Sequence, residues 1–268
     1  MIRSHWRSKN PLRVIALGAS TLMVYACSAG PASTSPRAEP PPPPAQPPVS
    51  ATRINFGAGT VTSFVTKDAS GTPITLGVRL SREVITGTGA AQLSAILELP
   101  PEANLSPFNH VQVDWNPSGH PPAGVYHLPH FDLHFFMISQ TARAEITLAD
   151  RAAMFRQPSE GSIPVGYRAD IEGFAGMGVH WLDGQSPEFA QQAFTRTMIQ
   201  GFHHGRMIFQ EPMVTKAFLE TRPDFQAPIA QPREYPRPAY YPTTYRIAYD
   251  AATGDYVIAL EGLTRRGS

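Results

Sequence analysis

The sequence predicts a mainly β domain of the α+β kind, a β-sandwich or β-barrel with one or two peripheral helices. Three observations predict it. Ten short runs alternate apolar with polar residues or concentrate β-branched and aromatic ones, the period-two signature of half-buried strands. Prolines and glycines punctuate the chain between those runs. Helical pattern is confined to Ser139–Phe155 and to a turn or two at Met213–Thr221, a balance that suits two packed sheets or a closed one.

The elements follow in chain order. Met1 to Arg13 carries Arg3, Arg7, Lys9 and Arg13 and no acid, and the apolar run Val14 to Ala26 follows. That run is too short to span a bilayer and reads as the core of a signal peptide over residues 1–26. It ends in Val24-Tyr25-Ala26-Cys27, with the chain's one Cys at the position that the bacterial lipobox modifies with lipid. The pattern resembles that of exported lipoproteins. It implies that Cys27 becomes the lipidated first residue, and Ser28 in place of Asp implies the outer membrane, facing the periplasm. Acyl chains contribute about 0.8 kcal/mol per buried methylene, so they hold a protein at a membrane without a spanning helix.

Residues 27–51 read as a tether. Nine prolines lie between Gly30 and Ser50, including Pro40 to Pro44 without interruption, and polyproline II extends about 3.1 Å per residue. Residues 52–268 read as one β-rich domain. Its strands are expected at Thr60–Thr66, Ile74–Leu80, Ala95–Leu99, His110–Trp115, His130–Ile138, Gly178–Leu182, Phe194–Phe202, Met207–Glu211, Thr244–Tyr249 and Tyr256–Leu260. The last two form a hairpin through Ala252-Thr253-Gly254-Asp255.

Charge narrows the function classes. The chain holds 22 Lys and Arg against 21 Asp and Glu, and loss of residues 1–26 leaves 18 bases and a formal charge of −3. Such a domain lacks the basic excess that a phosphate backbone requires, which excludes a nucleic-acid partner. One Cys excludes a disulfide framework. No Gly-x-Ser-x-Gly elbow, phosphate loop or dinucleotide fingerprint is present.

The chemistry concentrates in histidine. Nine are present, five of them between His110 and His134. In Pro129-His130-Phe131-Asp132-Leu133-His134-Phe135-Phe136, strand alternation puts His130, Asp132 and His134 on one face and Phe131, Leu133 and Phe135 on the other. His180 in Val179-His180-Trp181 and Glu211 in Gln210-Glu211-Pro212 stand in later strands. His130, His134, His180 and Glu211 are the expected ligands of a divalent transition metal, zinc, iron, manganese or copper, because imidazoles with a carboxylate suit those ions. Asp132 and His120 are expected to orient those ligands or to replace one of them. The alternative is a structural hydrogen-bond network of the same His and Asp residues, in a binding or assembly module. His203-His204 reads as a hairpin turn. A small-molecule or protein partner and self-association stay open, and so does catalysis.

The donor set is similar to that of cupins, although here Asp132 separates the two histidines and no Glu follows until Glu145. Four blocks, Asp114 to Pro122, Pro129 to Phe135, Met177 to Trp181 and Phe209 to Met213, together resemble a bacterial family of uncharacterised secreted proteins, the Thermus-type domain of unknown function. The resemblance implies one extracytoplasmic domain over most of the chain after the tether, and it implies no activity. Trp115, Trp181, Phe131 and Phe135 in these blocks read as core residues, with a pocket lining as the alternative.

If Cys27 is the anchor, a Cys27→Ser chain should move from the membrane to the soluble periplasmic fraction and lose its label from radioactive palmitate. A variant that stays labelled and membrane-bound would remove the lipidation reading.

Overall fold

Residues 46–267 are described by the structure, a computed structural model. The expected signal peptide, Cys27 and the tether up to residue 45 lie outside the described residues. In chain order the strands and helices are β1 (Val49–Phe56), β2 (Gly59–Lys67), β3 (Pro73–Leu80), α1 (Arg82–Gly87), β4 (Leu93–Glu98), β5 (His110–Asn116) and β6 (His130–Phe136). Next come α2 (Gln140–Ala144), α3 (Arg151–Met154), β7 (Tyr167–Phe174), β8 (Gly178–Asp183), β9 (Arg196–His203), β10 (Arg206–Thr215) and α4 (Lys216–Glu220). The chain finishes with β11 (Asp224–Pro228), β12 (Ala239–Tyr241), β13 (Thr244–Tyr249), β14 (Tyr256–Glu261) and β15 (Thr264–Arg266).

Two antiparallel sheets carry the architecture. One runs β1-β2-β3-β14-β13-β11 and the other β4-β5-β6-β10-β9-β8-β7, with a small β12-β15 pair beside them. Neither large sheet closes on itself, so the arrangement is sandwich-like and the expected barrel alternative does not form. Val61, Val65, Leu76 and Val78 from the first sheet meet Val111, Val113, Trp115, Phe131, Leu133 and Phe135 from the second in one buried cluster. Burying side chains of this size contributes about 1.5–3 kcal/mol each relative to exposure.

Alternation assigns the opposite face of β5 and β6 to polar residues, His110, Gln112, Asp114 and Asn116 on one strand and His130, Asp132 and His134 on the next. A polar face normally meets water. Here every residue of β5 and β6 is buried, because the outer face has its own cover. Tyr126, from the loop over residues 117–129, packs there with Leu182, Phe194, Ile199 and Met213. Ile146 and Met154, from the α2–α3 region, pack with Phe136 and Phe209.

The expected helix over Ser139–Phe155 is two short ones. Ser139 caps α2 by accepting from the Ala142 amide, and Asp150 caps α3 by accepting from the Ala153 amide. Between them Ile146 is buried and its carbonyl accepts from the Gly176 amide at 2.9 Å, which diverts the backbone from a helical ladder. β1 begins at Val49, inside the stretch expected as tether: its residues pair with β2 from Val49↔Val65 to Phe56↔Gly59. The hairpin at Ala252–Asp255 forms as expected, with Tyr249 opposite Tyr256. Among the described residues, no helix is long and apolar enough to cross a membrane.

β10 continues through Pro212 although Pro cannot donate to a ladder and is rare in a central strand. Its neighbour across β9 is Met198, whose carbonyl accepts from the buried Tyr167 hydroxyl at 2.9 Å. Removing that donor leaves a buried acceptor unpaired, so Tyr167→Phe should lower unfolding stability by about 1–2 kcal/mol. Urea unfolding checks this: the midpoint should fall with the slope unchanged, and an unaltered midpoint would show that the hydroxyl contributes nothing.

Candidate metal centre

Strand register assembles the site. On β5 and β6, Asn116 faces His130, Asp114 faces Asp132 and Gln112 faces His134. On β10 and β6, Gln210 pairs with Phe135 and Met213 with Asp132, so Glu211 lies across from His134. Two strands farther on, His180 of β8 faces Gly201 of β9, which faces Phe209 of β10. A Cβ on Gly201 would sit 2.0 Å from the Phe209 ring. Glycine there lets the ring reach across, with its centroid 5.0 Å from that of His134 and 5.5 Å from that of His180, edge-on to both.

The inner group is His134, His180 and Glu211, whose ligand atoms all lie within 4.8 Å of one another. His134 Nε2 is 3.2 Å from Glu211 Oε1, and His134 Nδ1 is 3.4 Å from Asp114 Oδ2. The His180 ring stacks on Phe174 with centroids 4.9 Å apart and lies 6.2 Å from His134. His180 Nε2, His134 Nδ1 and Glu211 Oε2 are buried without a hydrogen-bond partner. Burial pushes the Glu211 carboxyl well above its ordinary range, and the Asp132 and Asp114 charges push it the same way. Burial also depresses the His180 imidazole to about 3, with His134 adding to the effect.

The outer group is His120, His130 and Asp132, again with ligand atoms within 4.8 Å of one another. His120 Nε2 is 3.1 Å from Asp132 Oδ2, and His130 Nε2 is 3.1 Å from Asp132 Oδ1. Asn116 donates to Asp132 Oδ2 at 2.6 Å. Burial alone would raise the Asp132 carboxyl, but the His120 and His130 rings against it outweigh that and hold the group well below its ordinary value. Burial alone would lower the His120 imidazole; Asp132 outweighs it and raises the group.

Asp114 stands between the two groups. Gln112 donates to its two oxygens at 2.9 and 2.7 Å and is itself held by Arg143. Arg143 also donates to the Gly176 carbonyl and lies over the Phe136 ring. A cleft of about 230 Å³ opens over this face, lined by His120, Asp132, Asp114, His134, His180, Phe174 and others. A larger one, about 570 Å³, runs along residues 231–238 and brings no ligand cluster with it.

The four residues expected around one ion divide. His134, His180 and Glu211 come together, whereas His130 joins His120 and Asp132. Four residues along a strand span about 13 Å, so sharing a face does not bring His130 and His134 to a common ion. Trp115, Phe131, Phe135 and Trp181 are buried in the hydrophobic clusters, and His203-His204 forms the β9–β10 turn, with His204 and Gly205 at positive φ. Sequence reasoning missed Asp114, although it alternates with Gln112 and Asn116 in a strand already expected. Phe209 and Gly201 carried no signal, because their part depends on cross-strand register.

Comparison with protein-family models, with curated proteins and with solved structures finds no match to this chain. What the site can do therefore rests on its own donors: each group offers two imidazoles and a carboxylate that can hold a metal ion or join in a hydrogen-bond network.

In metal-free protein, His180 makes stability pH-dependent. Between about 6.5 and about 3 the unfolded chain binds a proton that the folded imidazole refuses, so stability rises with pH across that window. The loss on going from pH 7 to pH 5 should be about 2 kcal/mol. Urea midpoints of chelator-treated protein, set beside His180→Asn, check this: the variant should lose that part of the slope, and equal slopes would refute the assignment.

Proposed function

We propose that the chain is a lipid-anchored cell-envelope protein whose seven-stranded sheet binds a divalent transition metal through His134, His180 and Glu211. The anchoring part is supported by the basic start, short apolar run and Cys27 in the sequence. The metal part is carried by one observation: three ligand atoms converge from β6, β8 and β10 in a buried place where His180 Nε2 and Glu211 Oε2 have no protein partner. Buried polar atoms are rarely left so.

The residues fit such an ion. Two donors each about 2.0–2.2 Å from one ion, at octahedral to tetrahedral angles, stand about 3.0–3.5 Å apart. His134 Nε2 and Glu211 Oε1 are 3.2 Å apart. Asp114 beside His134 Nδ1 is placed to orient that ring, and Gln112 steadies Asp114. Three ligands leave coordination free toward the cleft, which suits a reactive more than a purely structural centre. When bound there, such an ion supplies Lewis acidity toward water or a substrate oxygen. Phe209 and Phe174 keep water from the flanks of the two rings.

The second reading, a structural network in a binding module, is favoured at Asp132 Oδ2, where Asn116 and His120 both reach one oxygen. Elemental analysis of protein purified without a histidine tag or chelator separates the readings. At least one equivalent of zinc, iron, manganese or copper is expected, and it should fall by about one in both His180→Ala and Glu211→Gln. No metal after reconstitution with each ion, or unchanged content in both variants, would overturn the inner metal site.

A further inference from the structure

We propose that His120, His130 and Asp132 form a second divalent-metal site, so that one cleft holds two ions. The proposal stands on its own ligands and does not require the inner site to be correct.

The argument begins with the far side of each imidazole. His130 Nδ1 lies 2.6 Å from the Leu128 carbonyl, and His120 Nδ1 lies 2.6 Å from the Pro121 carbonyl. A carbonyl only accepts, so both Nδ1 atoms carry the hydrogen. In the neutral rings Nε2 is then a lone pair, and both Nε2 atoms point at Asp132. A backbone carbonyl holding the remote nitrogen is the support that metal-ligating imidazoles receive.

The near side is where the protein alone fails. His130 Nε2 and Asp132 Oδ1 are 3.1 Å apart, yet neither makes a hydrogen bond, and both are buried. Their approach is close without the alignment that a shared proton needs. An ion about 2.0–2.2 Å from each would account for both the spacing and the missing bond. His120 Nε2 stands at the same 3.1 Å from Asp132 Oδ2, with its ring 4.7 Å from that of His130 and turned by 72°. The two rings thus present their edges to one place.

Support and access are both present. Asn116 donates to Asp132 and accepts from Gln92 at 3.1 Å, which fixes the carboxylate from β5. The His120 side chain is 25% exposed where the cleft opens, giving an ion a way in beside the wholly buried His130.

The test is metal stoichiometry on the full chain, stripped with chelator, loaded with Zn²⁺ and desalted. About two equivalents are expected in the parent protein and about one in each of His120→Ala, Asp132→Asn and His180→Ala. His120→Ala combined with His180→Ala should bind none. His120 is partly exposed, so its variant tests the site even if replacements of His130 or Asp132 fail to fold. Loading with Co²⁺ adds a readout that a merely structural role would not move: His120→Ala and His180→Ala should remove different parts of the visible absorption. One equivalent in the parent, kept in His120→Ala and lost in His180→Ala, would overturn the second site and leave the first. One equivalent lost in His120→Ala and kept in His180→Ala would support the second site and overturn the first. No zinc in any form would overturn both.

Discussion

One seven-residue strand has to serve two opposite environments. On β6 the odd positions Phe131, Leu133 and Phe135 fill the space between the sheets, and the even positions His130, Asp132 and His134 supply the polar face. The side-chain period of a strand is two, so a slip of one residue would exchange these sets completely. Three aromatic or aliphatic groups would leave the core, and two imidazoles and a carboxylate would enter it. The hydrophobic core therefore enforces the register on which the site depends, and β5 and β10 take their own registers from β6.

Covering the outer face of that sheet changes the energetics of everything on it. Asp114, Asp132 and Glu211 are all buried within one neighbourhood, and isolated buried carboxylates are strongly unfavourable. The two groups meet this differently. Asp132 gathers Asn116 and two imidazoles and stays ionised, whereas Glu211 has only His134 at ion-pair distance, two like charges to repel it and a raised carboxyl. The contrast arises from cover and neighbours, since all three carboxylates sit on central strands of the same sheet.

Much of the fold was legible because the central strands are regular. The Thr244–Tyr249 and Tyr256–Leu260 hairpin, the alternation of β6 and the β5 segment all follow from period two. The strands that escaped notice, β1, β7, β11, β12 and β15, are short or carry exposed polar residues; β7 buries only Tyr167 fully, at its start. Edge strands pack on one side or none, so they leave weak hydrophobic pattern. At the site, His134, His180 and Glu211 were legible as residue types at strand positions. Their separation from His130 was not, because it depends on distance along a strand and on which neighbours the register brings across. Pro212 hid the second half of β10, since a proline normally marks a strand's end.

Gly201 contributes no group to the site, yet the space above it is where Phe209 lies against both His134 and His180. The phenyl ring is a low-dielectric wall behind two donor rings, and fields across such a wall are screened far less than in water. A methyl group at position 201 would push that wall outward, letting solvent lie behind the imidazoles. The insulation of the centre is thus encoded by an absent side chain two strands away from His134, at a position where chemical reasoning about ligands would never look.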